Sequence, residues 1–330
     1  MTEIYRPWGN IDWIIKNFPR STKWFFIGAI STEDRTIAAY NFLKENSNII
    51  IKSHFMVIND KQSRHTQVCK HKIATNRKRL SKYDEESEFY LLYEYDNIIV
   101  DFAKTISHNH QNIIFDISCL PKRFFFPLLR RFQTDNNIEN VIITNAIPLK
   151  YEHSQPLSES YGNWRTIPLF QDLSDEATKA IILFSVGHLP MGAPGPIYDI
   201  CNSKKLILYF PFPGHPHSLN PIWRLVYEIE KTIENSDSIE IECVSACDTS
   251  EMFESMKRAT NDGQTNAILA PYGPKPFSLA MALFAIKFNQ PVYYTQPRIY
   301  HPDYSSGIQI KDGMPVINAY VTKCNAKSYY

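Results

Sequence analysis

Cationic residues, glycines and histidines collect directly after the predicted strands, most densely in the second half of the chain. The stretch PYGPKP (271–276) shows the pattern best. Gly273 lets the backbone approach a ligand closely, and Lys275 places a positive charge where a helix is predicted to begin. The pattern therefore predicts a site for an anionic or heteroaromatic ligand. The candidate ligand-binding residues are Lys275, Gly273, Ser278, Gly187, His188, Gly192, Lys122 and Arg298.

Acid–base catalysis is the alternative chemistry for such residues. Asp116, His188 and His215 are the candidate acids or bases, with Lys275 stabilising phosphate charge. Asp116 lies near the end of an apolar predicted strand, where it could equally bond to backbone N–H groups. The sequence has no P-loop, no G-x-G-x-x-G after a strand, no G-x-S-x-G and no H-E-x-x-H. Enzymatic activity is therefore left open, and no cofactor is assigned.

Short apolar runs alternate with longer amphipathic stretches, which favours an α/β fold with mainly parallel sheets. The carboxyl ends of parallel strands share one edge, and ligands bind there, near the point where the strand order reverses. The predicted strands are 24–30, 48–58, 112–118, 140–146, 180–186, 205–211, 238–244, 267–270 and 291–295. The predicted helices are 33–45, 121–133, 218–235, 249–261 and 276–288.

Two stretches of the first half have counterparts about 155 positions later. TKWFFIGAIS matches TKAIILFSVG, and IIFDISCLPKRFFFPLLRRF matches AILAPYGPKPFSLAMALFAIKF, so Lys122 corresponds to Lys275. The offsets predict two tandem Rossmann-like domains and favour an internal duplication, although parallel α/β proteins share this rhythm without being duplicated. We expect one domain at 1–150, a polar linker at 151–178 and the second domain at 179–330.

Composition narrows the classes of function. The net charge of +1 predicts no bulk attraction to nucleic acid or to an anionic membrane. The first residues, MTEIYRPWGNIDWIIKNFPR, lack signal-peptide features, and no apolar run approaches the roughly 18 residues of a membrane helix. The six cysteines are scattered, which fits free thiols in the cytoplasm. Cys243 and Cys247 lack a second close pair, so we predict no metal site.

A basic region precedes an acidic one in the first half. Arg64 and His71 have the R-x₆-H spacing of some helical RNases, and the stretch 70–79 is rich in lysine and arginine. Clustered cations can contact a phosphate backbone. The acidic residues that follow at 84–86 favour the simpler interpretation, a solvated surface helix.

The loops of the second half resemble those of the CARF (CRISPR-associated Rossmann fold) sensor domains. In that family a small, serine- or threonine-rich loop follows the first strand, and a G-x-K-P-like loop opens a late helix. GPKPFSLA (273–280) resembles the late loop, and SVGH (185–188) occupies the early position. In the first half, LPKR (120–123) departs from the pattern because it lacks the glycine.

The resemblance implies that a cyclic oligonucleotide binds in a cleft between two such domains and that the signal passes to an effector. No effector domain is recognisable in the sequence, so the effector is expected to be a separate protein.

Three hypotheses follow from these patterns. The first is a nucleotide-sensing or scaffold subunit, in bacterial antiviral defence, that binds an anionic nucleotide-type ligand and works with a separate effector. The second is a nucleotide- or nucleoside-processing hydrolase that uses His188, His215 or Asp116. The third is an interaction protein whose aromatic segment FFFPLL (124–129) joins a larger complex.

Overall fold

The chain forms two compact units in a computed structural model. Unit 1 comprises residues 1–159 and 298–329, and unit 2 comprises residues 160–297 with Tyr330. The structure describes residues 5–59, 62–83, 87–92, 96–152, 157–171, 181–187, 205–213, 223, 226–227, 230–231 and 239–330.

The helices and strands of the described residues alternate along most of the chain. The helices are α1 (Ile11–Lys16), α2 (Ala38–Asn46), α3 (Thr66–Leu80), α4 (Asp96–Asn109), α5 (Lys122–Thr134), α6 (Thr249–Ala259) and α7 (Lys275–Phe288). The strands are β1 (Trp8–Asn10), β2 (Trp24–Ile30), β3 (Ile50–Asn59), β4 (Ser87–Leu91), β5 (Asn112–Asp116), β6 (Asn140–Ala146), β7 (Lys150–Tyr151), β8 (Ser158–Tyr161), β9 (Arg165–Thr166), β10 (Ile181–Ser185), β11 (Lys205–Pro211), β12 (Ile239–Val244), β13 (Ala267–Pro271), β14 (Tyr293–Tyr294), β15 (Pro297–Tyr300), β16 (Ser305–Ser306), β17 (Ile310–Lys311), β18 (Met314–Pro315), β19 (Ile317–Cys324) and β20 (Lys327–Ser328).

The sheet of unit 1 is mainly parallel and doubly wound. Its strands run in the order β1-β19-β6-β5-β2-β3-β4. The five strands from β6 to β4 are parallel, whereas β19 pairs antiparallel with β6 and β1 pairs antiparallel with β19. Taken in chain order, the parallel strands have the arrangement 3-2-1-4-5, which is that of dinucleotide-binding Rossmann folds.

Buried aromatic side chains on both faces explain why the strands of unit 1 are continuous apolar runs. All seven residues of β2 are buried. On one face, the ring of Tyr40 in α2 packs edge-on against Phe55 of β3, with the ring centroids 5.0 Å apart. On the other face, Phe132 of α5 packs edge-on against Phe115 at 5.7 Å. A strand covered on both faces needs no polar alternation.

The segment FFFPLL (124–129) belongs to this core. It lies within α5, and its three phenylalanines and two leucines are fully buried. The hypothesis of an aromatic interaction surface at this segment is therefore wrong. The sequence could not distinguish a buried helix face from a docking surface, since both are apolar.

Unit 2 repeats the strand order of unit 1. Its four parallel strands run in the order β12-β11-β10-β13, and Val292 pairs in parallel with Leu269 at the position of a fifth strand. The order in chain sequence is again 3-2-1-4-5. The two units thus share one topology, and the predicted α/β fold with two Rossmann-like, mainly parallel sheets is confirmed.

The last part of the chain differs from the expected organisation. Residues 298–329, which the sequence places in the second domain, belong to unit 1. The reason is the pairing of β19 with β6, in register from Ile317 opposite Ala146. The predicted linker contains the short strands β8 and β9 and the second residue of β7. The predicted helix at 33–45 is a 3₁₀ turn (Asp34–Ile37) followed by α2. Of the predicted helix 218–235, the described residues 223, 226–227 and 230–231 are helical.

In the described part of the chain, no three His, Cys, Asp or Glu side chains are grouped closely enough to hold a metal ion. None of the helices in this part has the length and apolar character needed to cross a membrane.

The N-terminal cap of helix α6 gives a stability prediction. Asp248 caps it, because its Oδ1 accepts hydrogen bonds from the N–H groups of Ser250 (2.8 Å) and Glu251 (2.9 Å). We expect Asp248→Ala to lower the free energy of unfolding by about 1 kcal/mol in urea denaturation, because both N–H groups lose their acceptor. Asp248→Asn retains an acceptor oxygen and should lose far less. Equal losses in the two variants would contradict the capping role.

Candidate functional site

Each unit has a switch point at the carboxyl edge of its sheet. In unit 1 it lies between the ends of β2 and β5, and in unit 2 between the ends of β10 and β13. In open α/β sheets the connections that leave such neighbouring strands turn to opposite faces of the sheet, which opens a crevice where ligands bind.

A buried ion pair occupies the switch point of unit 1. The Nε and Nη2 atoms of Arg35 each lie 2.9 Å from Oε2 of Glu33, and Nη1 donates to the carbonyl of Ala146 at 3.0 Å. The two side chains are only 5% and 10% exposed. Burial lowers the pKa of Arg35, but the Glu33 carboxylate more than offsets this, so that the pKa lies above its ordinary value. The guanidinium therefore remains charged inside the protein.

The same ion pair holds the C-terminal segment of unit 1. Ser305 Oγ donates a short hydrogen bond to Oε2 of Glu33, and the N–H of Gly307 donates to Oδ2 of Asp34 at 2.7 Å. From α3, Asn76 Nδ2 donates to the carbonyl of Glu33 at 3.2 Å. The loop after β2 is thus bonded to parts of the chain that are distant in sequence.

Asp116 lies beside this ion pair and is also occupied by internal bonds. Its Oδ1 accepts hydrogen bonds from Ser118 Oγ (2.7 Å) and Thr144 Oγ1 (3.0 Å), while Ser118 Oγ accepts from the N–H of Ala146 (2.8 Å). Only 1% of the residue is exposed. Burial raises the pKa of Asp116 to about 6, although the hydrogen bonds from Ser118 and Thr144 oppose the rise. The carboxyl group joins the ends of β5 and β6 and faces no open surface.

Three further titratable side chains of this switch point, Cys119, Tyr151 and Tyr304, are kept neutral by burial. Burial raises the pKa of the Cys119 thiol and of the Tyr151 and Tyr304 phenols above their ordinary values. A nucleophilic thiol needs a lowered pKa. The switch point of unit 1 is therefore packed with bonded, unreactive groups of the protein itself.

The switch point of unit 2 is built from two loops that approach very closely. A Cβ atom on Gly187 would lie 2.1 Å from the carbonyl oxygen of Tyr272, and one on Gly273 would lie 3.0 Å from Ser185 Oγ. Ser185 Oγ accepts a hydrogen bond from the N–H of Gly273 (3.0 Å). Gly187 must be a glycine because of this loop contact, and a side chain at Gly273 would be crowded by Ser185. This reason differs from the ligand approach that the sequence suggested.

The ring of Tyr272 is 6% exposed and packs within unit 2. Phe184 and Trp164 stack on it, with centroid distances of 5.0 and 6.1 Å and interplanar angles of 18° and 9°. Its hydroxyl donates to Thr295 Oγ1 at 2.8 Å and accepts from the N–H of Thr295 at 2.9 Å. Tyr272 therefore fixes the wall of the switch point.

Lys275 is the first residue of α7 and is half-buried. An α-helix leaves its first N–H groups without helical partners, so its start favours negative charge. Ser278 is fully buried one turn later, and its hydroxyl lies 3.5 Å from the carbonyl of Gly273. Gly187, Gly273, Lys275 and Ser278 thus share the carboxyl edge of the unit 2 sheet.

The remaining candidates lie elsewhere. Lys122 is the first residue of α5 in unit 1 and follows Pro121 as Lys275 follows Pro274. Arg298 belongs to unit 1. His188, Gly192 and His215 lie outside the described residues.

Sequence patterns did not identify Glu33 and Arg35 as a pair. The polar run STEDR (31–35) after a buried strand was the available signal, but its partners Ala146 and Ser305 are distant in sequence. Local spacing contains no information about such contacts.

No family model matches the chain, and no curated protein is similar in sequence. The solved structures that are similar to the chain at low scores include the following three. A putative universal stress protein from Pseudomonas aeruginosa UCBPP-PA14 has a TM-score of 0.25 and 11% identity, covering 84% of this chain and 95% of its own. The cytoplasmic domain of a prokaryotic cation chloride cotransporter has a TM-score of 0.25 and 8% identity, with coverages of 84% and 96%. The adenylation, ketoreductase and pseudo Asub multidomain structure of a keto acid-selecting NRPS module has a TM-score of 0.20 and 9% identity, with coverages of 87% and 34%. At these scores the likenesses support no functional assignment.

The buried ion pair gives a stability prediction. Arg35→Met leaves the Glu33 carboxylate buried without its cation, and we expect a loss of about 3–5 kcal/mol in the free energy of unfolding. The double variant Glu33→Gln/Arg35→Met removes both charges and should recover much of that loss. Lys16→Met is the control, because its partner Asp12 forms an exposed pair worth about 0–1 kcal/mol. Urea denaturation measures all three, and an Arg35→Met loss as small as that of the control would contradict the assigned role.

Asp116 gives a pH prediction. Its pKa is raised from 3.8 to about 6, so the folded state binds the proton more tightly than the unfolded state does. The resulting stability is present below about pH 4 and is lost as the pH rises to about 6, a change of about 3 kcal/mol. Asp116→Asn does not titrate. The difference in unfolding free energy between wild type and Asp116→Asn should therefore change over this window and stay constant above about pH 7. A constant difference from pH 4 to 8 would contradict the prediction.

Proposed function

We propose that unit 2 binds an anionic, nucleotide-type ligand at its switch point and that the protein acts as a nucleotide-sensing or scaffold subunit with a separate effector. One observation carries the proposal. Lys275 begins α7 directly after the tight loop at the carboxyl end of β13. A helix start, a cation and a close-packed glycine loop at a Rossmann switch point together favour a bound phosphate.

The difference between the two units supports placing the ligand in unit 2. In unit 1 the ion pair of Glu33 and Arg35 already meets the ends of the central strands. In unit 2 the described residues at the corresponding place are Ser185, Gly187 and Gly273, which introduce no charge. Ser185, Gly187 and Gly273 thus place no carboxylate beside an anion that binds near Lys275.

The role in bacterial antiviral defence rests on the resemblance of GPKPFSLA (273–280) to the late loop of CARF domains. That resemblance also motivates a cyclic oligonucleotide as the first ligand to test. The hydrolase alternative gains no support from Asp116, whose carboxyl group is buried and bonded to Ser118 and Thr144.

The test compares Lys275→Ala with Lys287→Ala, which removes a cation from the last turn of the same helix. Mass spectrometry of the natively purified protein first identifies any small molecule that travels with it. Binding of a cyclic oligonucleotide and of ATP is then measured by calorimetry. We expect Lys275→Ala to weaken binding by about 10–100-fold, the value of a charge-assisted hydrogen bond, and Lys287→Ala to bind as wild type does.

Thermal unfolding of the unliganded variants controls for misfolding. Equal affinity in Lys275→Ala and wild type would overturn the site. Ligand turnover that Asp116→Asn abolishes would select the hydrolase hypothesis instead.

A further inference from the structure

A cleft of about 500 Å³ opens at the amino-terminal edge of the unit 1 sheet, the edge opposite the switch point. It lies where the chain enters β2, β3 and β5 and where α4 ends, and all of its lining residues belong to unit 1. The ten lining residues include one lysine, two histidines, four asparagines or glutamines, and no aspartate or glutamate. This composition gives the cleft many hydrogen-bonding groups and no negative charge of its own.

The inner wall of the cleft is formed by the fold itself. The imidazole of His110 stacks on the ring of Phe25, with the ring centroids 4.1 Å apart and an interplanar angle of 15°. Phe25 is only 2% exposed. Asn112 Nδ2 donates to the carbonyl of Lys23 at 3.1 Å, and Asn112 Oδ1 accepts from Asn140 Nδ2 at 2.6 Å. These bonds join the beginnings of β2, β5 and β6, so the wall is organised before a ligand binds.

Hydrogen-bond donors line the outer part of the cleft. His108, Gln111 and Asn137 are exposed there, and their side chains have no hydrogen-bond partner in the part of the chain that the structure describes. Lys23 Nζ donates to the carbonyl of Asn48 at 3.0 Å, which occupies one of the three N–H groups of an ammonium. An ammonium, an imidazole and two amides can therefore donate to one ligand.

Positive charge predominates around the cleft. Lys23 lines it, and Lys52 lies opposite Phe25 in the register of β2 and β3. Burial lowers the pKa of His110, and the charge of Lys52 lowers this pKa further. The charge of Lys52 thus reaches the inner wall, where it adds to that of Lys23.

One carboxylate contacts a lining residue, and the protein itself uses both of its oxygens. Asp135 Oδ2 accepts from Ser107 Oγ at 2.6 Å, and Oδ1 accepts from the N–H of Asn137 at 3.0 Å. The hydrogen bond from Ser107 is the largest cause that lowers the pKa of Asp135, and Lys323 and Arg131 add to it. The charge of Asp135 is therefore compensated within the protein, and the cleft favours an anion.

Size and chemistry narrow the class of anion. A volume of this size exceeds that of a single ion and lies within the range of pockets for small organic ligands, roughly 300–1,000 Å³. A phosphate monoester carries about two negative charges and three terminal oxygens, which accept from several donors at once. Amide side chains both donate and accept, so Gln111 and Asn137 suit the hydroxyl groups of an attached molecule.

Other ligands fit the cleft less well. A neutral sugar would leave the charge of Lys23 without a counter-charge. A metal ion would have His108 and His110 as ligands, but in the described residues no third His, Cys, Asp or Glu side chain is grouped with them.

We propose that this cleft binds a small organic phosphate monoester. Lys23 and the donors of the outer wall contact the phosphate, and the amides of Gln111 and Asn137 bond to the hydroxyl groups of the remainder. The site is independent of the ligand site proposed in unit 2.

Ribose 5-phosphate is the probe, because it combines a phosphate monoester with hydroxyl groups. We expect it to bind the full chain with a Kd of about 0.1–1 mM by isothermal titration calorimetry. Ribose and inorganic phosphate should each bind at least about tenfold more weakly, because each has only part of the ligand. Hydrogen exchange should show added protection of the amides of residues 107–112. All measurements are repeated in the Lys275→Ala background, so that the site proposed in unit 2 does not contribute.

Lys23→Met should weaken binding by about tenfold or more, because the phosphate loses a charge-assisted hydrogen bond. Lys104→Met is the matched control, since Lys104 is an exposed cation of α4 that does not line the cleft. Asn137→Asp keeps the size of the side chain and adds a negative charge to the wall, so it should also weaken binding by about tenfold. Raising the salt to about 0.5 M should reduce the effect of Asn137→Asp. Thermal unfolding of the unliganded variants controls for misfolding.

Unchanged affinity in both Lys23→Met and Asn137→Asp, or no binding of the probe at about 10 mM, would overturn the proposal. Ribose that binds as tightly as its phosphate would show a site for a neutral sugar. Inorganic phosphate that binds as tightly as the probe would show a site for the free ion. Binding that disappears in the Lys275→Ala background would place the phosphate in unit 2. Each of these three results would also overturn the proposal.

Discussion

A buried carboxylate and a buried guanidinium organise unit 1. A charge removed from water is costly unless it is paired and hydrogen-bonded. The groups that bond to Glu33 and Arg35 must therefore stay in position. Through them the loop after β2 is fixed to the end of β6 and to Ser305 of the C-terminal segment. At the carboxyl edge of unit 1 these side chains are consequently bonded to one another and to the backbone, and the candidate acid Asp116 is held there by bonds to Ser118 and Thr144.

Unit 2 has the same strand order, but different residues lie at the carboxyl edge of its sheet. Its central strands end in a serine and two glycines whose backbones touch, and its aromatic side chains stack on one another around Tyr272. The charged group at this edge that the sequence singled out is Lys275 at the start of α7. One topology therefore provides a stabilising ion pair in one unit and a cationic helix start in the other. That contrast is the physical basis for proposing a ligand site in unit 2.

Much of the fold follows from local sequence, because buried parallel strands are short apolar runs and the helices between them are longer. The sequence match of Lys122 with Lys275 likewise predicted that each residue begins the helix after the fourth parallel strand of its unit, which is β5 in unit 1 and β13 in unit 2. The features that the sequence could not predict depend on contacts between residues that are far apart in the chain. Gly187 must be a glycine because the carbonyl of Tyr272 lies very close to it. Residues 298–329 belong to unit 1 because β19 pairs with β6. The segment FFFPLL (124–129) had the composition of a docking surface and proved to be core.

The return of residues 298–329 to unit 1 has a consequence for biosynthesis. The chain emerges from the ribosome starting at its amino end, so β6 is made long before β19, the strand that covers its edge. Until β19 has been made the sheet of unit 1 lacks this strand, whereas residues 160–297 are all translated before β19. Unit 2 can thus fold first, and unit 1 is completed only when β19 has been made.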